Sequence, residues 1–222
     1  MKIIEIINEG GPLPFTREKV DNAVISELRT KCAPFIAECG GLWNAISDRP
    51  LWRGIPDFDW DEYKLPIITV DVNQNRSPRD TANDRHKIVN EWFIKKTGIP
   101  FRNASVFGSG SYKIAKNYAT DFDANPGVGE TVVVLPVGKY SYCWSDKVED
   151  LYSYLGDHVT WSKDTTENEQ DIYTVLNNAE YKFNKDLGQA LDSRNEIMVH
   201  CQKAIILNES YRKYLINEYK YQ

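Results

Sequence analysis

The sequence predicts an α+β fold in a single domain, and three observations carry that reading. The elements run helices first, then short strands with helices set between them. Apolar residues near the start recur at helical spacing. One long segment, ETVVVLPVGKYSYCW, is dense in β-branched and aromatic residues, which marks sheet. A chain of 222 residues suits one domain. At that size roughly 70% of the unfolded surface is buried on folding, so no covalent staple is required. Residues 1–48 read as an N-terminal helical segment packed on the same domain, and 49–222 as the body that carries the chemistry.

In chain order, TREKVDNAVISELRTKCAPFIAEC reads as helix, with Thr16 as N-cap and Glu18 and Lys19 behind it. Val20, Ala23, Val24 and Leu28 form its apolar stripe, and Gly40-Gly41 closes the short helix that follows. RPLWRGIP, bounded by Pro50 and Pro56, reads as a short strand, and a second strand covers 67–72 before a polar turn. TANDRHKIVNEWFIKKTG is the clearest helix, with Ile88, Val89, Trp92 and Phe93 on one side and Gly98 as its stop. A Gly-Ser corner, FGSGS, leads into the helix SYKIAKNYA. ETVVVLPVGKYSYCW is strand with a turn or bulge at Gly138. Acidic and polar residues 146–184 read mostly as helix, 196–207 as the last strand, and NESYRKYLINEYKYQ as a helix or a frayed tail.

Composition excludes several functions. A net charge of −5 is not that of a nonspecific DNA coat, though it leaves room for a local basic groove. Cys32, Cys39, Cys143 and Cys201 show no C-x-x-C pairing, and His86, His158 and His200 sit near no paired thiols. No metal is therefore expected, and the cysteines read as inert free thiols in a reducing compartment. The N-terminal MKIIEIINEGGPLP is too short and too charged for a signal peptide or membrane span, so a soluble, cytoplasmic protein with no membrane partner is expected.

The chemistry starts from Phe107-Gly108-Ser109-Gly110-Ser111. It lacks the lysine of G-x-x-x-x-G-K-[ST] and is not G-x-G-x-x-G, so taken alone it reads as a strand-to-helix corner. Arg53 alone reads as a surface or salt-bridged arginine, and Glu196 alone as a solvent-facing residue at a strand edge. Three segments in order change that: Trp52-Arg53-Gly54 in a short strand, the FGSGS strand edge, and Glu196-Ile197-Met198-Val199 opening a strand. This ordered set resembles the arginine-serine-glutamate class of ADP-ribosyltransferases. That class has an aromatic-Arg-Gly strand, a Phe-x-Ser-Thr-Ser strand and a glutamate opening a strand E-V-L-L-P. Here glycine replaces the threonine and both serines are kept. TVVVLPVGKYSY is similar to the hydrophobic strand with a Pro-x-Gly turn that such proteins carry between the second and third elements. The resemblance spans about 51–207, and the general character of the chain is similar to small bacteriophage-encoded members, which implies action in a host cytoplasm.

The resemblance implies a split, mostly antiparallel sheet core with N-terminal and inserted helices, 49–222 being the NAD-binding catalytic domain. NAD is the implied substrate and a macromolecule, protein or nucleic acid, the implied acceptor. Arg53 would grip the NAD phosphates through its planar fork. Glu196 would stabilise the oxocarbenium-like charge on the ribose, and Ser109 would bond Glu196 or the ribose. Gly54, Phe107, Gly108, Ser111 and Tyr118 complete the implied NAD site; Tyr112, Tyr118 and Phe122 are each stacking candidates or core. Glu130 is a rival carboxylate, set aside because it precedes the Pro-x-Gly strand. The chain departs from the pattern at Arg194, where arginine-modifying members carry Glu. A cation there repels an arginine acceptor and suits an anionic one. Two alternatives use the same sequence: an NAD glycohydrolase with water as acceptor, and a noncatalytic binding protein. The latter would contact an acidic partner through Arg76, Arg79, Arg85 and Lys87, a run that also reads as a solvated face.

Overall fold

The computed structural model describes residues 17–56, 58, 65–74, 83–120, 129–159 and 165–221. Residues 1–16 with the Thr16 cap, Phe122, and Arg76 and Arg79 lie outside the described residues. Helix α1 (Arg17–Lys31) turns Asp21, Val24, Ile25 and Leu28 inward, the i, i+3, i+4, i+7 stripe that packs on a core. The buried stripe thus includes a carboxylate where periodicity alone placed Val20 and Ala23. Helix α2 (Ala33–Glu38) has Pro34 in its first turn, where a missing N–H costs nothing. It ends ahead of Gly40, whose φ of +80° favours glycine. A π-helical turn (Asn44–Asp48) then leads into the sheet.

The strands are β1 (Trp52–Pro56), β2 (Ile67–Asp71), β3 (Ser105–Ser109), β4 (Gly129–Pro136), β5 (Ser141–Trp144), β6 (Lys182–Phe183), β7 (Glu196–His200) and β8 (Lys203–Asn208). They form one eight-stranded sheet in the order β2-β8-β4-β1-β3-β7-β5-β6. All its pairings are antiparallel. Between them run α3 (Asn83–Thr97), α4 (Tyr112–Thr120), α5 (Leu151–His158), α6 (Thr165–Asn178) and α7 (Leu187–Asp192), and α8 (Glu209–Tyr219) follows β8. The α+β class is as expected from sequence. Two readings are refined. ETVVVLPVGKYSYCW is two strands that turn at Gly138 (φ +66°) and do not pair with each other. The segment 196–207 is likewise two strands, broken at Cys201-Gln202.

That break reveals the shape of the sheet. His200 and Lys203 are three peptide links apart, so their Cα atoms are at most about 11 Å from each other. In sheet order β7 and β8 are four strand spacings apart, about 19 Å in a flat sheet. The sheet therefore folds over on itself. The fold lies between β1 and β3, which pair at one position only, Trp52 opposite Ser109. By contrast β3 and β7 run in register from Ser105–His200 to Ser109–Glu196. Val133, Leu135, Ile205 and Leu207 of one half share a core with Val106, Tyr142, Ile197 and Val199 of the other. A second core forms on the outer face of the β3 half, where Cys143 and Met198 meet Trp92, Phe93, Leu151, Ile172 and Leu176 from the inserted helices.

The C-terminal segment is helix and not a frayed tail. The Asn208 side chain caps it by accepting from the Ser210 and Tyr211 N–H groups. Asp21, fully buried on α1, accepts from the hydroxyls of Tyr211 (2.5 Å), Tyr214 (2.8 Å) and Tyr219 (3.0 Å). A buried carboxylate requires such donors, and here they tie α8 to α1.

Candidate functional site

The three motif segments, far apart in sequence, become three neighbouring strands: β1, β3 and β7. Trp52, Ser109 and Glu196 occupy one row across them, at the seam where the two halves of the sheet part. Arg53 reaches over that seam and donates from Nη1 to the Phe107 carbonyl, at 2.9 Å. The physical reason is local. Beyond Trp52 and Ser109 the two strands no longer pair, and the Arg53 side chain bridges them by donating to the β3 backbone.

Glu196 opens β7 and faces a residue that sequence reading missed. Arg102 lies in the turn before β3, and its Nη1 sits 3.4 Å from Glu196 Oε1. The side chains are 13% and 14% exposed, so this is not a screened surface pair. The Arg102 guanidinium rests on the Phe107 ring, 4.8 Å from its centroid. Phe107 thus carries one arginine on its carbonyl and a second on its ring. No local pattern announces the pair, because its members are 94 residues apart. Burial, with the Glu196 charge adding to it, also pushes the Cys143 thiol and the Tyr181 phenol well above their ordinary values.

Ser109 is buried, and its hydroxyl bonds the backbone. It donates to the Arg194 carbonyl at 3.0 Å and accepts from the Ser111 N–H at 3.1 Å. The hydroxyl thereby tethers the turn just before Glu196. That turn is held at further points. Asn195 Nδ2 donates to the Ser145 carbonyl at 2.6 Å, Ser193 Oγ to the Ala190 carbonyl at 2.7 Å, and the Glu196 N–H to the Glu149 carbonyl at 2.9 Å. The carboxylate is therefore mounted on a pinned backbone, the condition for electrostatic stabilisation without reorganisation.

The remaining candidates divide. A Cβ on Gly54 would lie 2.1 Å from the Ala115 carbonyl oxygen, so this glycine lets α4 lie directly on β1. A Cβ on Gly108 would lie 2.7 Å from the Trp52 carbonyl oxygen, at the seam itself. Ser111 Oγ accepts from the Ile114 N–H at 3.4 Å, placing it as the N-cap of α4. Tyr118 sits on α4 and is 46% exposed. Tyr112 is packed edge-on against Trp52, and its hydroxyl donates to Glu209 at 2.7 Å. Glu130 is on β4, opposite Ile55 and across β1 from the Ser109–Glu196 row. The Arg194 side chain is 65% exposed at the rim, 3.9 Å from Glu149.

Among the described residues no group of three or more His, Cys, Asp or Glu is placed to hold a metal ion, and no helix is long and apolar enough to cross a membrane. All four cysteines are free and buried. What the seam brings together is one arginine on the Phe107 carbonyl, a second on its ring, a mostly buried carboxylate and a pinned turn. No family model, curated protein or solved structure matches the chain at a significant level.

Proposed function

We propose that the chain is a mono-ADP-ribosyltransferase that cleaves the nicotinamide–ribose bond of NAD and transfers ADP-ribose to a macromolecular acceptor, protein or nucleic acid. One observation carries the reading: the arginine, serine and glutamate segments lie on adjacent strands, with Ser109 directly opposite Glu196 at the seam of a folded-over sheet. Such a seam is the kind of split that the resemblance implies. Arg53, oriented by its bond to Phe107, presents a planar fork to the pyrophosphate. The bond between ribose C1′ and the nicotinamide nitrogen breaks with its electron pair going to that nitrogen, so the ring leaves neutral. Positive charge develops on the ribose, as in glycoside hydrolysis. Glu196 stabilises it where it forms. Arg194, two residues before this carboxylate and with its side chain 65% exposed, favours an anionic acceptor.

The test is nicotinamide release from NAD, alone and with cell extract, for wild type beside Glu196→Gln. Loss of a single preorganised electrostatic group lowers turnover by about 10²–10³. Release stimulated by extract, with a labelled adduct formed only by wild type, supports transfer; release with no adduct moves the assignment to a glycohydrolase. The Arg102–Glu196 ion pair favours a second reading, a noncatalytic protein on the same architecture, because it leaves the carboxylate neutralised. Binding of NAD with no release in any extract would select that reading.

A further inference from the structure

We propose that Tyr181 is a positioning residue for Glu196: its phenol hydroxyl and the carboxylate share one buried water molecule, which sets the orientation of the carboxylate. The catalytic consequence rests on the NAD reading of the same site; the contact itself does not. Tyr181 lies just ahead of β6, and its hydroxyl is buried and makes no hydrogen bond to a protein group. That state is unfavourable unless a partner is supplied. The ring is held by aromatic neighbours, edge-on to Phe93 at 5.1 Å, tilted against Trp92 at 6.0 Å and stacked on Phe183 at 6.4 Å.

Strand register brings this phenol to the site. Phe183, Cys143, Met198 and Phe107 form one row across β6, β5, β7 and β3. Cys143 and Met198 face the second core, whereas Trp144 and Ile197 in the next row face the first. Faces alternate along a strand, so Glu196, opposite Ser109, returns to the outer face. Tyr181, two residues before Phe183, packs against the second core on that face as well. One step past Trp144, the register sets Ser145 between them. It is small and fully buried, and its hydroxyl donates to the Ala179 carbonyl. Glu196 and Tyr181 are thus two strand spacings apart, about 10 Å at the backbone, two long side chains flanking a short one. The charges agree with this placement. After burial, Glu196 is the strongest influence on the Tyr181 phenol, ahead of Cys143, Arg102 and Asp150.

Arg102 approaches Oε1 of Glu196 at 3.4 Å, and a carboxylate with about four lone-pair sites takes a further donor beside it. A water that accepts from the phenol and donates to Glu196 serves both groups, since a buried charge requires donors and a buried water requires two or more polar partners. The Ser109 tether fixes the turn that carries Glu196, and the phenol fixes the far end of its side chain.

The experiment is a double-mutant cycle in urea unfolding on wild type, Tyr181→Phe, Glu196→Gln and the double variant, run beside nicotinamide release from NAD. Phenylalanine keeps the ring packing, and removal of an orphan hydroxyl would leave the midpoint unchanged or raise it. With the water bridge, Tyr181→Phe is expected to lower the midpoint by about 0.5 M, and by less than about half of that in the Glu196→Gln background, where the acceptor is uncharged. With NAD, Tyr181→Phe should lower kcat about tenfold with KM little changed, and should add no loss once Glu196 is replaced. A merely structural residue gives equal losses in both backgrounds. A Tyr181→Phe midpoint at or above that of wild type, or equal shifts in the two backgrounds, overturns the proposal. So does a kcat loss that repeats in full in the Glu196→Gln background. Where a Glu196 variant fails to fold, the sign of the Tyr181→Phe shift decides. Should wild type fail to cleave NAD while the midpoints couple, the Tyr181–Glu196 link stands and the transferase reading falls. Should cleavage depend on Glu196 while the midpoints merely add, the transferase reading stands and the link falls.

Discussion

Replacing Ser109 by alanine removes one hydroxyl and strands two backbone groups. The hydroxyl is only 4% exposed at the residue level, donates to the Arg194 carbonyl and accepts from the Ser111 N–H. A buried polar group left without its partner costs about 1–3 kcal/mol, so the pair is expected to cost about 2–3 kcal/mol in all. With a urea m-value of about 2–3 kcal/mol/M, the unfolding midpoint should fall by about 1 M. Because the tether ends on the turn that mounts Glu196, kcat for nicotinamide release should drop by about 10–100-fold, with KM changed much less. Ser111→Ala is the control for the stability arm alone. It removes the α4 cap at a cost of about 1 kcal/mol and leaves the 193–195 turn held. A Ser109→Ala protein as stable as wild type would show that the tether is not made. One that is destabilised but turns over at the wild-type rate would show that the tether does not position the carboxylate.

The other predictions concern the frame. Asp21→Ala strands three tyrosine hydroxyls and undocks α8 from α1, so urea unfolding should show a loss of about 3–5 kcal/mol; a loss under about 1 kcal/mol refutes the carboxylate anchor. Stability should fall at alkaline pH. Burial first, then the Asp21 or Glu38 carboxylates, raise the phenols of Tyr211, Tyr140 and Tyr142, and burial raises the thiols of Cys32, Cys39 and Cys201 to about 12. Groups raised in the folded state contribute fully below their ordinary values, 9.0 for a thiol and 10.0 for a phenol, and lose that contribution as pH climbs through the folded values. The urea midpoint should therefore decline from about pH 9 upward, more gently in Tyr211→Phe above pH 10; a flat profile contradicts the burial of these groups. Gly54→Ala forces a Cβ to within 2.1 Å of the Ala115 carbonyl oxygen and 2.6 Å of the Ala119 nitrogen. It should cost about 1–3 kcal/mol of stability by lifting α4 from β1, and an unchanged Tm would mean the helix is not seated there.

The elements were largely legible because their signals are local. Buried residues at i, i+3, i+4 and i+7 in α1 and the β-branched run of β4 follow from how a helix or strand presents one face to a core. The WRG, FGSGS and EIMV segments could be singled out for the same reason, each being a short piece of strand with its own composition. Where the reading blurred, the cause was also local. Continuous apolar runs such as EIMVHCQKAIIL hide a break when both strands are buried on both faces, since no alternation survives to mark the crossing at Cys201-Gln202.

By itself the sequence determined which segments form helix and strand, and which residue types were at hand for chemistry, since side-chain periodicity and turn propensity act within a few residues. Only the tertiary structure decided that β1, β3 and β7 are neighbours and that the sheet folds at their seam. It likewise set Ser109 on the Arg194 carbonyl, 85 residues away, and Arg102 on Glu196, 94 residues away. Such contacts leave no trace in a local window. They arise when burial of two apolar layers brings distant strands together, and the polar groups trapped at the seam must then find partners among whatever the packing has placed beside them.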